Sequence, residues 1–211
     1  MNEIIRPADI EKRSLAIIAQ ELGGRTFPDG IDQVVRRVIH TSADFDYADT
    51  LCFSEGVIGQ ALEVLAAGAT IITDTSMAMA GISKPALAQV GGQVRCFIAD
   101  PEVAAEAKAR GVTRAVVSME RAAKLDGPLI FAIGNAPTAL IRLHEMIEAG
   151  TLAPALVIGV PVGFVNVVES KELFVGSTTP HIIARGRKGG SNVAAAIVNA
   201  LLYQLVQREG F

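Results

Sequence analysis

Residues 128–150 read PLIFAIGNAPTALIRLHEMIEAG, and this stretch decides the fold class. Leu129 to Ile133 is a short unbroken apolar run, the pattern of a strand buried on both faces. Gly134 and Asn135 break the run, Pro137 opens a helix, and Gly150 closes it. A buried strand that passes through a short turn into a helix is the repeating unit of a parallel sheet.

The same alternation recurs on both sides of this stretch. TLCF (50–53), TIIT (70–73), QVRCFIA (93–99), PALVIGV (154–160) and HIIARG (181–186) read as further strands. Between them, EGVIGQALEVLAAG (55–68) puts Val57, Ile58, Ala61, Leu62 and Leu65 on one helical stripe. Asp100 and Pro101 form an N-cap and first helical position for residues up to Gly111, and SNVAAAIVNALLYQLV (191–206) forms the last helix. Two helices precede the first strand, one from Pro7 to Leu22 and one from Asp29 to about Ile39. The expected fold is α/β: a single domain over residues 1–211, with a mostly parallel sheet and helices on both faces. This is a Rossmann-like three-layer arrangement with two N-terminal helices. In such sheets ligands bind outside the carboxyl ends of the strands.

Composition narrows the function classes. Half of the 211 residues are hydrophobic and 19% are charged, which suits a globular chain with a large core. The net charge of −3 gives no basic field for nucleic acid, and with no Trp and two Tyr there are few stacking platforms. No apolar run reaches the roughly 20 residues of a membrane span. MNEIIRPADIEKRS (1–14) has no apolar signal core, so a cytoplasmic setting is expected. Cys52 and Cys96 sit in apolar runs and read as buried thiols. No histidines stand at metal-ligand spacing, so no metal site is expected.

His40 stands out in VVRRVIHTSAD (34–44). Ile31, Val34, Val35, Val38 and Ile39 form a core stripe, and His40 points away from it, on the side of Gln33. It is a surface histidine near a helix end, where the macrodipole favours positive charge, or a proton-transfer group. In the first helix Ser14 shares a face with Ile10, Ile17 and Ile18, so its hydroxyl bonds back to its own helix or enters a ligand cavity. His144 and His181 read as structural.

The strand ends supply further candidates, each of which is also readable as an ordinary turn. Asp74 follows TIIT, and Lys84 lies near that edge. Gly134-Asn135 precedes a helix whose free N–H groups suit an anion. Arg185, Arg187 and Lys188, with Gly189-Gly190 and the helix start at Ser191, form the best anion-binding candidate. GVPVGFVNVVESKE (159–172) adds a constrained turn and Lys171.

Taken in order, IEKRSLAII (10–18), RRVIHTSAD (36–44), AGATIITDTSM (67–77), GNAPTAL (134–140), GVPVGFVNVVESK (159–171) and RGRKGGSNVAAAIVNAL (185–201) resemble the precorrin-8X methylmutase family, including its cobalt-precorrin-8 relatives. The resemblance spans nearly the whole chain. It implies an isomerase of cobalamin biosynthesis. The enzyme would move one methyl group to the adjacent carbon of pyrrole ring C of precorrin-8X or cobalt-precorrin-8, giving hydrogenobyrinate or cobyrinate. It implies no organic cofactor, a homodimer with the site near the interface, His40 as proton donor or acceptor, Ser14 as a substrate contact and Arg114 beside the ring. A flat apolar ring edged with carboxylates wants an apolar cavity with cations at its rim. Arg13, Lys84, Arg114, Lys171, Arg185 and Arg187 are candidates for that rim. A non-catalytic tetrapyrrole carrier of the same fold and an α/β isomerase of a smaller acid are the competing readings.

Overall fold

The computed structural model describes residues 6–28 and 30–206. One six-stranded sheet organises them, in the order β1-β6-β5-β4-β2-β3. Its strands are β1 (Leu51–Phe53), β2 (Thr70–Thr73), β3 (Gln93–Arg95), β4 (Leu129–Ile133), β5 (Leu156–Gly159) and β6 (His181–Ala184). All neighbours pair in parallel except β1, which runs antiparallel to β6 along one edge.

The period of two along each strand divides the core. Ile71, Ile130, Ala132, Ile158, Ile182 and Ala184 point to one face. Ile72, Phe131, Ile133, Val157 and Ile183 point to the other. The first face carries α1 (Pro7–Glu21), α2 (Ile31–Ser42), α4 (Val57–Ala66), α5 (Ser76–Gly81), α6 (Lys84–Gln89) and α11 (Ser191–Leu205). The short α3 (Tyr47–Thr50) leads into β1 on the same side. Helix α11 is apolar nearly all round because it is the hub, packed against α2, α5 and α4 as well as the sheet. The second face carries α8 (Arg114–Ala122) and α9 (Pro137–Glu148), with α7 (Pro101–Arg110) against α8 and α10 (Val167–Glu172) against α9. None of the described helices is long and apolar enough to cross a membrane.

The three-layer expectation matches the molecule, with local corrections. The expected start of the second helix at Asp29 lies outside the described residues. Strand β3 stops at Arg95 because it is an edge strand with Gln93 and Arg95 exposed, so the apolar CFIA that follows leaves the sheet. Cys96 lies in that departing segment and Cys52 on the opposite edge strand, so both thiols are half-buried rather than buried. Asp100 occupies an N-cap position without a capping hydrogen bond from its side chain. Helices α3, α5, α6, α8 and α10 escaped the sequence reading. Four of them have six residues or fewer, too few to display a period. Helix α8 did carry a signal: Thr113 caps Val116 N–H, and Ala115, Met119 and Ala122 form a buried stripe.

Glycines lock the carboxyl edge of the sheet. A Cβ on Gly189 would lie 2.0 Å from the Val160 carbonyl oxygen, and the Gly190 N–H donates to that same oxygen at 2.8 Å. Gly189→Ala must therefore push two backbone segments apart. It is expected to cost about 2 kcal/mol or more in urea unfolding, and an unchanged midpoint would contradict the close approach.

Candidate functional site

His40 sits in the last turn of α2, whose stripe of Val34, Val35, Val38 and Ile39 is buried while His40 is exposed. Ala43 ends the helix in a left-handed conformation (φ 53°), its N–H donating to the Ile39 carbonyl at 2.7 Å. That stop places His40 beside α1. The two helices enclose a cleft of about 270 Å3 lined by Ser14, Ile17, Ile18 and Glu21 from α1 and by Ile39, His40, Ala43 and Phe45. Ser14 and His40, the two residues singled out on the first two helices, thus share one cavity. Ser14 Oγ donates to the Ile10 carbonyl at 2.9 Å, which keeps its lone pairs available as acceptors. The face around it is not inward as expected: Ile10 is 51% and Ile17 47% exposed, and only Ile18 is buried. Arg13, next to Ser14, is exposed.

At the carboxyl edge the expected anion site after β4 is already occupied. Asp74 is buried, and its carboxylate accepts the N–H groups of Gly134 (2.9 Å), Asn135 (2.8 Å) and Ala136 (2.7 Å). Burial pushes the Asp74 carboxyl above its usual range, against the pull of these three donors. Asp74 therefore clamps a loop instead of facing a ligand, and the Asn135 side chain is what remains exposed there. Ser191 is likewise tied down, its hydroxyl 2.7 Å from that of Thr75, which also caps α5. Gly134 is needed at this junction because a Cβ there would meet Ser191 Cα at 2.7 Å.

Several of the expected rim cations, and Lys188 beside them, are engaged by other groups of the protein. Arg185 makes a two-pronged pair with Glu172 at 2.9 and 2.8 Å. Lys188 bridges Asp44 (2.7 Å) and Asp46 (2.6 Å), which ties the segment after His40 to the 185–190 loop. That ammonium holds the Asp44 carboxyl below its usual range. Lys84 donates to the carbonyls of Met79 and Ile82 at the end of α5, and partial burial lowers its pKa. Lys171 is completely buried and cannot touch a ligand; its Nζ donates to the carbonyls of Gly186 and Lys188. Burial brings its ammonium down to about 8. Arg187 differs: it is exposed, has no carboxylate partner among the described residues, and lies over the Phe164 ring at 5.5 Å.

Arg114 opens α8 and is exposed. A hydroxyl pair between Thr113 and Thr138 (2.9 Å) sets it beside the start of α9, at the carboxyl edge. It belongs to the layer opposite the one that holds His40. The other two histidines are structural as expected. His181 is buried and donates from Nδ1 to the Thr179 carbonyl at 2.8 Å, and His144 meets Phe174 edge-on at 5.9 Å. Among the described residues no three His, Cys, Asp or Glu side chains stand close enough to hold a metal ion.

Residue-by-residue reading missed several exposed apolar side chains. Phe164 is 82% exposed, with Val162 and Val165 beside it in the loop after β5, and Met77 is exposed at the start of α5. The available signal was an apolar run, VGFV, placed in a turn rather than in a strand or helix. An exposed apolar loop, the Arg187 guanidinium over its Phe164 ring and the His40 imidazole in its cleft are thus surface features of a fold whose neighbouring loops are held by buried and paired polar groups.

The chain is similar to known proteins over nearly its whole length. The family model described as precorrin-8X methylmutase matches residues 9–204. The chain is 45% identical to the cobalt-precorrin-8 methylmutase of Salmonella typhimurium, covering 97% of this chain and 99% of that protein. It is 40% identical to the precorrin-8X methylmutase of Pseudomonas aeruginosa, covering 91% and 93%. The crystal structure of precorrin-8x methyl mutase from Thermus thermophilus superimposes with a TM-score of 0.84 at 40% identity, over 92% of this chain and 96% of that one.

Proposed function

The chain belongs to the precorrin-8X methylmutase family, an isomerase family of cobalamin biosynthesis, and from that premise we propose that His40 is its proton-transfer residue. The substrate is precorrin-8X or cobalt-precorrin-8, and one methyl group moves to the adjacent carbon of ring C. Any cobalt arrives inside the substrate. The reaction gains and loses no atoms, so the protein has three tasks: to hold the ring, to exclude water and to supply one proton where negative charge would build up. The observation that carries the proposal is the shared cleft of Ser14 and His40, in which an acceptor hydroxyl and an imidazole face one space. His40 protonates a ring nitrogen as the methyl group migrates and takes the proton back afterwards. Ser14 receives a hydrogen bond from the ring edge.

Arg13, Arg114, Arg187 and the Asn135 side chain are the proposed contacts for the peripheral carboxylates. Asp74 holds the loop that carries Asn135, Lys171 and Arg185 hold the loop that carries Arg187, and Ser191 and Lys84 brace the two ends of α5. The cleft of about 270 Å3 is smaller than a macrocycle, and the α1 face with Ile10 and Ile17 is open. We place a second copy there, so that the working form is a homodimer with the site near its interface, in the cytoplasm, each chain acting as one methylmutase unit. Light scattering at assay concentration should give twice the chain mass.

The direct test is conversion of precorrin-8X and cobalt-precorrin-8, side by side, followed by absorbance. A purified sample that leaves both spectra unchanged would make the chain a carrier. Arg114→Ala is expected to raise KM about tenfold with little change in kcat, as loss of one charge-assisted carboxylate contact does. Unchanged KM and kcat would remove Arg114 from the site.

A further inference from the structure

Gly186, Arg187 and Lys188 offer three successive carbonyls, and all three are captured by one segment of chain. The buried ammonium of Lys171 donates to Gly186 at 2.7 Å and to Lys188 at 2.8 Å. Between them, the Gly163 N–H donates to Arg187 at 3.2 Å. Lys171 is 0% exposed and bonds to no carboxylate among the described residues; its neighbour Glu172 is turned to Arg185. Burying a cation without a carboxylate costs stability, and an apolar side chain of similar volume would avoid that cost. Stability alone therefore does not account for a lysine here. What Lys171 supplies is two charge-assisted bonds to a loop in which Gly186 (φ 76°) and Gly190 (φ 137°) adopt conformations that favour glycine.

The outer surface of the same loop carries Arg187. Of its three cations, Arg185 is held by Glu172 and Lys188 by Asp44 and Asp46. Arg187 alone among them has no carboxylate partner among the described residues, and its guanidinium lies over the Phe164 ring. The backbone of Arg187 is fixed on both sides by Lys171 and at its own carbonyl by Gly163, so the guanidinium starts from a set position.

We propose that Lys171 is a positioning residue: it fixes the 186–188 backbone so that Arg187 meets a carboxylate of the macrocycle. The inference rests on Arg187 as a rim contact, and a double-mutant cycle separates the two claims. Arg187→Ala alone tests the contact. Lys171→Met is expected to raise KM about tenfold while kcat changes less than about twofold, the size of one weakened charged hydrogen bond. In the Arg187→Ala background the same substitution is expected to move KM less than about twofold, because the group it positions is gone. A lysine that only stabilised the fold would give no such coupling. If Lys171→Met does not fold, Lys171→Gln, which keeps two N–H donors without the charge, takes its place in the cycle. If the wild-type protein shows no turnover, the cycle is read from the Kd for the corrinoid product. An unchanged KM in the folded Lys171 variant overturns the proposal. So does a KM effect that persists without Arg187.

Discussion

His40→Ala is expected to fold normally, to bind the corrinoid product with near wild-type affinity, and to lose methyl migration by a factor of about 10²–10⁴. The size follows from the one chemical task left to the protein once the ring is held. Without a donor in reach, charge on the ring during migration has only water to accept from. Folding should survive because His40 is exposed while the packing of α2 runs through Val34, Val35, Val38 and Ile39. The check is single-turnover absorbance with saturating substrate, beside an absorbance titration with product. Turnover within a few fold of wild type would remove His40 from the mechanism. Loss of product binding would mean that the residue holds the ring rather than protonating it.

Asp74→Asn is the substitution expected to damage the molecule most. The carboxylate receives three backbone N–H groups from a loop sixty residues and more away, at 2.9, 2.8 and 2.7 Å. An amide of the same shape presents its NH₂ to at least one of those donors. Two donors then face each other in a buried place, at a cost of about 1–3 kcal/mol for each unmet group. A total loss of about 3 kcal/mol is expected in urea unfolding. The Gly134–Ala136 turn packs on Ser191 and Gly190, so the folded fraction should also bind substrate more weakly. A wild-type unfolding midpoint would mean that the loop keeps its shape without the clamp.

These two residues show how differently sequence and structure contribute. His40 was legible because exposure on a helix is a local property: apolar residues at helical spacing, four of them buried, define the stripe, and the position of an imidazole relative to it follows by counting. The strands TIIT, LIFAI and HIIA were legible for the same reason, as short apolar runs bounded by breakers. Asp74 looked like a ligand-facing residue because acids at strand ends in α/β sheets often are. Its actual partners are N–H groups of the neighbouring parallel strand's loop, and nothing near position 74 announces them.

The sequence by itself thus determined the alternation of strand and helix, the place of His40 off the packed stripe, and the glycine-rich turns at the carboxyl edge. Each depends on residues within about one or two turns of one another, where period and backbone sterics decide. Only the tertiary structure decided which charges remain free for a substrate. Lys171, Arg185, Arg187 and Lys188 look alike along the chain, as cations close to glycines. In the fold, Lys171 is buried on the carbonyls of Gly186 and Lys188, Arg185 is held by Glu172, Lys188 is held by Asp44 and Asp46, and Arg187 is left exposed over Phe164. The physical reason is that a charge is satisfied by whatever acceptor the fold brings within about 3 Å. For Lys188 that acceptor lies 142 residues away.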